Sequence, residues 1–133
     1  MNGPRRILAV LECRASDAAV LDRALAVAAE SGGYLTLVAV VPTPFPTFAG
    51  PYCAPRVRCE ELRACAEDVL RRAVSLVPPD VPLIAAIEEG RTRAVVARRV
   101  EAAAHDLVVV RRRRPRFRSS ERGRLPAPIL AVA

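Results

Sequence analysis

Short runs of uninterrupted apolar residues recur along this 133-residue chain, and they constrain its fold more than any other feature of the sequence. They predict strands, which cover residues 5–12, 34–41, 81–87, 107–110 and 128–133. Strands that are apolar at every position are typical of a parallel sheet whose two faces are both covered. Segments with helical periodicity fill three of the intervals, at residues 17–31, 57–76 and 92–104. The alternation predicts an α/β fold: a doubly wound, mainly parallel five-stranded sheet with helices on both faces.

The length of the chain is typical of one domain, and we assign residues 1–133 to a single unit without internal repeats. Ser16 is placed to cap the first helix and Gly32–Gly33 to end it, while Thr92 is expected to cap the third helix. Five prolines fall within residues 42–55, which predicts an irregular loop there.

The sequence carries no sign of a membrane anchor or of secretion. No apolar stretch approaches the roughly 20 residues of a spanning helix, and the apolar run at residues 7–11 is too short for a secretory signal. We therefore expect a cytoplasmic protein. The four cysteines show no CxxC spacing and the one histidine is His105, so neither a metal site nor a structural disulfide is expected.

Arginine supplies all of the basic charge: 21 arginines and no lysine leave the chain with a formal net charge of +7. Coding bias in a GC-rich genome is the simpler explanation of that total, and selection for guanidinium groups that bind phosphate is the alternative, so local clustering has to decide between them. Eight of the fourteen residues from Arg111 to Arg124 are arginine. Three interpretations of this segment stay open: a solvated surface run, capture of phosphate groups, or contact with nucleic acid. Phe117 is the one aromatic residue within it, so bases find no stacking platform and specific nucleic-acid binding is not expected.

Acidic residues near predicted strand ends are candidates for a functional site. Glu12 lies at the carboxyl end of the first strand, where it either contacts a ribose or base or forms an ion pair with an arginine such as Arg14. Glu88–Glu89 is either a pair for acid–base chemistry or a solvated strand end, and the second is the commoner case. His105–Asp106 has no serine or cysteine placed to complete a triad, so enzymatic activity is not expected.

Four segments taken together resemble the universal stress protein family. The segment ILAVLECRASDAAVLDRAL is similar to the family's ILVAVDGS strand and the helix after it, with Cys13 and Arg14 where the family has Gly and Ser. LTLVAVVP is similar to the family's LTLLHVVP. EEG, a helix and HDLVVV resemble its EG, helix and ADLIVMG, and PAPILAVA resembles its APCPVLVV. The likeness covers nearly the whole chain and implies the same fold. It also implies a homodimer in which the last strand, residues 128–132, pairs with its twin across a two-fold axis.

The resemblance also implies an ATP site, whose glycine motif this chain lacks. Family members bind ATP through a motif of the form GxxGx9G[ST] after the fourth strand. Its first two glycines fall on Arg111 and Arg114, and its later small-residue pair falls near Ser119 and Ser120 with shortened spacing. The acidic residue after the first strand is present as Glu12 in place of the usual Asp. Glycine lets backbone N–H groups approach phosphate, and arginine at both positions removes that access.

The carboxyl ends of the strands and the displaced motif define the candidate binding residues: Glu12, Val41, Arg111, Arg112, Arg114, Ser119 and Ser120. The arginines favour loss of ordinary ATP binding over a side-chain clamp around phosphate. We expect no cofactor beyond weak binding of ATP or another nucleotide.

The leading interpretation is a non-enzymatic regulatory or stress-response domain that acts by binding. Two alternatives stay open: a nucleotide-binding switch of the same fold, and a polyanion-binding module that uses residues 111–124. The expected partners are a second copy of the chain and an anion or nucleotide.

Overall fold

The computed structural model of the chain describes residues 5–42, 55–112 and 129–132. Within these ranges the chain forms, in order, β1 (Arg6–Leu11), α1 (Asp17–Ser31), β2 (Tyr34–Val41), α2 (Pro55–Leu76), β3 (Leu83–Glu89), α3 (Thr92–Ala102), β4 (Leu107–Arg111) and β5 (Ile129–Val132). All of these strands are parallel and lie in one sheet, in the order β3-β2-β1-β4-β5. The predicted five-stranded, doubly wound parallel sheet is confirmed.

Helices cover the sheet on both faces, as predicted. One face buries alternate positions of β1, among them Ile7 and Leu11, against α1 and α2. The opposite face buries the positions between them, Leu8 and Val10, against valines of α3. Successive side chains of a strand point to opposite faces, so each uninterrupted apolar run supplies both cores.

The third strand begins and ends two residues later than expected and covers Leu83–Glu89. Val81 closes a turn instead, because its amide donates to the Pro78 carbonyl at 3.1 Å. At the other end β2 continues to Val41, which lies opposite Glu89 in the ladder. Because of this pairing, Glu88 and Glu89 belong to the strand although the apolar run ends before them.

The glycines after α1 end the helix as expected. Gly32 adopts the left-handed conformation with a φ of 63°, and the cap amide donates to the Ala28 carbonyl. Gly33 has no room for a side chain, because a Cβ there would lie 2.2 Å from the Arg5 carbonyl oxygen. The pair lets the chain pass from α1 directly into β2 at close range to the start of β1.

Two stretches with predictions attached lie outside the described residues: 43–54 of the proline-rich interval and 113–124 of the arginine segment. Among the helices that the structure describes, none is both long enough and apolar enough to cross a membrane.

Candidate functional site

The carboxyl ends of the neighbouring strands β1 and β4 lie side by side at the point where the strand order of the sheet reverses. From β1 the chain proceeds to β2 and β3 on one side, and later crosses to β4 and β5 on the other. In open parallel sheets such a switch point leaves a crevice in which ligands bind. Glu12 directly follows β1 and Arg111 is the last residue of β4, so both lie at that crevice.

Glu12 and Arg111 form an ion pair across the crevice. The Arg111 Nε donates to Glu12 Oε2, and the Thr92 hydroxyl donates to the other carboxylate oxygen, Oε1. The Glu12 side chain is 11% exposed and that of Arg111 is 26% exposed. Each Glu12 oxygen therefore already accepts a hydrogen bond from this chain in a place largely shielded from water. The ion pair expected as one alternative for Glu12 is present, and its partner is Arg111 rather than Arg14.

Thr92 reaches Glu12 because it opens α3. The N-cap of that helix is Arg91, whose own side chain makes no cap hydrogen bond. The expectation that Thr92 caps the helix is therefore wrong. Thr92 is already the first helical residue, and its hydroxyl donates to Glu12 instead. A carboxylate at a helix N-terminus is also favoured by the helix dipole.

The turn after β1 fixes the backbone of Glu12. The Asp17 carboxylate accepts the amides of Glu12 at 2.9 Å and Arg14 at 3.2 Å. Ser16, the expected cap, makes no side-chain cap hydrogen bond and is already in the helical conformation, while the Asp17 carboxylate bonds to the turn that precedes the helix. Between the two bonded amides, Cys13 adopts a left-handed conformation with a φ of 59°, which residues other than glycine seldom adopt.

Val41 and Arg112 lie at the same end of the sheet, where the strands have their carboxyl ends. Val41 is buried at the end of β2, and its carbonyl accepts the Gly90 amide at 2.9 Å. Arg112 directly follows β4 and is exposed. The other predicted binding residues lie outside the described part of the chain: Arg114, Ser119 and Ser120.

The adjacent glutamates of β3 are engaged in separate ion pairs. Glu88 pairs with Arg99 of α3 at 2.5 Å, and Glu89 pairs with Arg63 of α2 at 3.0 Å. Neighbouring residues of a strand point to opposite faces, so the two carboxylates meet different helices. They tie the end of an edge strand to both helix layers, and the acid–base interpretation does not fit this arrangement.

His105 and Asp106 serve the backbone between α3 and β4. Asp106 Oδ2 accepts the Arg6 amide at 2.8 Å, and His105 Nδ1 lies 2.9 Å from the Ala103 carbonyl oxygen. These contacts fix the entry into β4, as expected of a structural pair.

Cys13 lies in the turn after β1, and its side chain packs against the core on the α1 and α2 face. Burial above all, and then the neighbouring Cys65, raise the pKa of the Cys13 thiol to about 12. Both cysteines are free thiols. Among the described residues, no three His, Cys, Asp or Glu side chains cluster as a metal site.

A sequence model of the universal stress protein family matches residues 3–126. The chain belongs to the universal stress protein family. This match confirms the resemblance that four short segments of the sequence indicated. The crevice between β1 and β4 described above therefore lies in a universal stress protein.

Solved structures of universal stress proteins share this fold. One from Burkholderia pseudomallei has a TM-score of 0.78 at 21% identity, over 96% of both chains. UspA from Lactobacillus plantarum has a TM-score of 0.74 at 15% identity, over 98% of this chain and 99% of its own. A family protein from Arabidopsis thaliana with AMP bound has a TM-score of 0.66 at 16% identity, over 97% of this chain and 91% of its own. Identities this low establish the fold alone, and no curated protein matches the chain significantly.

Proposed function

We propose that this universal stress protein is a non-enzymatic, cytoplasmic domain that acts by binding, and that its own Arg111 closes the nucleotide pocket. The observation that carries the proposal is the ion pair between Arg111 and Glu12 at the crevice where this class of sheet holds ligands. Under the family resemblance, Glu12 is the acidic residue that faces a nucleotide and Arg111 replaces the first glycine of the phosphate motif.

Hydrogen bonding at Glu12 supports closure. A ribose hydroxyl that donates to this carboxylate has to displace the Arg111 guanidinium or the Thr92 hydroxyl. Either donor bonds to a charged carboxylate, which places each hydrogen bond at about 1.5–3 kcal/mol, but only the guanidinium also brings an opposite charge to Glu12. Exchanging the guanidinium for a ribose hydroxyl therefore favours the closed arrangement.

The position of Arg111 supports closure for a second reason, because its side chain blocks the access of phosphate. Arg111 lies within β4, opposite Val132 of β5, so its backbone continues the ladder. A side chain occupies the position where the family motif has only a hydrogen atom and leaves room for phosphate. The guanidinium at its end is engaged with Glu12. These residues do not fit the backbone cradle through which family members hold ATP.

A nucleotide-binding switch is the second candidate, and the relative from Arabidopsis thaliana with AMP bound favours it. In such a switch Arg111 has to leave Glu12 and direct its guanidinium to a phosphate, which arginine binds through paired N–H donors. The exposed Arg112 next to it would add a second cation.

A native mass spectrum of the purified protein separates the two candidates. Closure predicts the mass of the polypeptide alone, whether as one chain or two, because a closed pocket retains no nucleotide. An adduct with the mass of AMP, ATP or a related nucleotide contradicts closure and favours the switch. The Arg111→Gly variant, purified in parallel, is the matched comparison: nucleotide gained by the variant alone locates closure at this side chain.

A further inference from the structure

β3 forms one edge of the sheet, and that edge is apolar. Among the described residues, β3 pairs with β2 on one side and no strand lies on the other. Its first five residues, 83–87, include neither a charged residue nor a proline, and their ladder with β2 runs without a bulge. Charges, prolines and bulges are the usual protection of edge strands, so this edge is a ready template for pairing with another strand.

The backbone groups of β3 that point away from the sheet belong to alternate residues. The Pro82 carbonyl accepts an amide of β2, and the Gly90 amide donates to a carbonyl of β2, each at 2.9 Å. The even-numbered residues between them therefore direct their N–H and C=O groups to β2. Those of Leu83, Ala85 and Ile87 point outward and offer three donors and three acceptors to a further strand.

Apolar side chains lie on both sides of this edge. On the α2 face, Ala85 and Ile87 line an open groove of about 310 Å³ together with Leu70 and Val74 of α2. On the opposite face, the side chain of Ile84 is 62% exposed. A strand docked along the edge covers apolar surface on both faces at once, which adds to the backbone hydrogen bonds.

We propose that the outer edge of β3 pairs with β3 of a second copy of the chain, antiparallel about a two-fold axis at Ala85. Ala85 then faces Ala85 of the second copy, and Leu83 faces its Ile87. The residues with outward backbone groups meet one another, and each facing pair exchanges two hydrogen bonds. A two-fold contact uses the same surface on both chains, and the apolar run is centred on Ala85, so apolar positions face apolar positions throughout.

The glutamates at the end of β3 favour this register over its neighbour. An axis at Ala85 leaves Glu88 beyond the five facing apolar pairs. An axis one residue later, at Ala86, sets Glu88 against Ile84 of the second copy. That register moves a carboxylate engaged with Arg99 next to an apolar side chain, which costs free energy.

Charges on α2 fit the same two-fold axis. Glu67 and Arg71 line the groove one helical turn apart, with side chains 51% and 75% exposed. The axis turns α2 of the second copy antiparallel to the first, so the acidic position of one helix faces the basic position of the other. Within one chain these side chains pair with Arg63 and Asp68, and exposed pairs of this kind contribute little and regroup readily.

The contact is small, and this sets the concentration at which it forms. A seven-residue strand and one groove belong with the weak interfaces that bury less than about 1,200 Å². We therefore expect the pairing at millimolar rather than micromolar concentration. It involves neither Glu12 nor Arg111, so it stands or falls separately from closure of the crevice.

Disulfide trapping of the Ala85→Cys variant tests the pairing. Facing residues of a hydrogen-bonded antiparallel pair have Cα atoms about 5.5 Å apart, a separation that a disulfide spans. Trypsin leaves position 85 in the peptide 73–91, which contains no native cysteine, so this peptide joined to itself reports the contact alone. At millimolar protein with a mild oxidant, we expect the self-linked peptide to form and dithiothreitol to separate it. Absence of the self-linked peptide overturns the proposal.

Two further alanines are the matched controls for trapping. Ala94→Cys, at an exposed position of α3, measures random collision through the peptide 94–98. Ala86→Cys measures the register, because two copies of that position are diagonal neighbours about 7–8 Å apart, beyond the reach of a disulfide. Both are expected to lose the self-link. Yields in either control that equal the yield of Ala85→Cys overturn the pairing at Ala85.

Light scattering measures the association without an introduced cysteine. The average mass of the wild type is expected to rise between micromolar and millimolar concentration, and Ile84→Lys is expected to lose that rise. Ile84 is exposed, so lysine there keeps the fold, and the two-fold axis brings two like charges into one contact. Ala94→Lys adds the same charge away from β3 and is expected to behave as the wild type. A wild-type mass that stays constant with concentration, or a rise that persists in Ile84→Lys, overturns the proposal.

Discussion

Arg111 at the end of β4 pairs with Glu12, the first residue after β1, across the switch point of the sheet. The two partners differ in their access to water. Glu12 is short and 11% exposed, whereas the longer Arg111 is 26% exposed and can swing its charged end into solvent. Removing the arginine therefore takes a cationic donor away from a shielded carboxylate, while removing the glutamate leaves an arginine that can find water.

Arg111→Ala is expected to lower the free energy of unfolding by about 1–3 kcal/mol, because it removes the guanidinium that donates to the shielded Glu12 carboxylate. The matched control is Arg112→Ala at the exposed neighbour, which is expected to stay within about 0.5 kcal/mol of the wild type. Urea denaturation measures both changes. Equal losses would show that the ion pair contributes no more than a surface side chain.

The substitution Glu12→Gln tests the charge of the Glu12 side chain separately from its size. The amide keeps the volume of the side chain and an oxygen acceptor but removes the charge opposite Arg111. We expect a smaller loss of stability than in Arg111→Ala, since the guanidinium can turn to solvent. A larger loss measured in the same urea series would contradict the asymmetry between the partners.

The Cys13 thiol makes stability depend on pH in the alkaline range. Its pKa is about 12 in the folded protein against 9.0 ordinarily, so the folded state holds this proton more tightly than the unfolded chain does. The resulting stabilisation is complete below pH 9.0 and is lost as the pH rises from there toward 12. We expect the urea midpoint of the wild type to fall across this range more steeply than that of Cys13→Ser. Parallel pH profiles of the two proteins would contradict this assignment.

The sheet order bears on assembly. β5 is an edge strand, paired with β4 on one side only within the chain, and an exposed edge is a template for pairing with another strand. Together with the family resemblance, this leads us to expect a homodimer joined along β5. Light scattering at micromolar concentration is expected to give twice the 14.4 kDa mass of the chain. A mass of one chain at that concentration would count against the dimer.

Much of the fold could be predicted from the sequence because its strands are apolar at every position. The bounds of α1 and β2 agree with the pattern to the residue, since Gly32–Gly33 marks the end of one and the start of the other. The end of β3 could not be predicted from its own residues. It is set by pairing with β2, which carries two glutamates into the ladder.

The candidate site was predictable in location but not in its contacts. Strand-end reasoning places Glu12 and Arg111 at one crevice, and the structure joins them. The role of Thr92 and the packing of Cys13 against the core depend on how helices pack over the sheet. Spacing along the chain carries no information about such packing.

The arginine segment is expected to attract anions through charge rather than through a specific fit. Arg112 is exposed and next to the crevice, whereas Arg111 is already engaged with Glu12. Arg112→Ala should therefore lower the salt concentration at which the protein elutes from heparin, and the binding should weaken steeply as salt rises. Elution unchanged by this substitution would place the anion-binding surface elsewhere on the chain.

Closure of the crevice is tested most directly by calorimetric titration of Mg-ATP and AMP into the wild type, Arg111→Gly and the matched control Arg112→Gly. Closure by Arg111 predicts no measurable heat of binding for the wild type and Arg112→Gly, since Glu12 keeps its guanidinium in both. Arg111→Gly removes the guanidinium from Glu12 Oε2 and restores one cradle glycine, so it is expected to bind at least one of the nucleotides more tightly than the other two proteins. Micromolar binding of either nucleotide by the wild type, at or above the affinity of Arg111→Gly, would contradict closure.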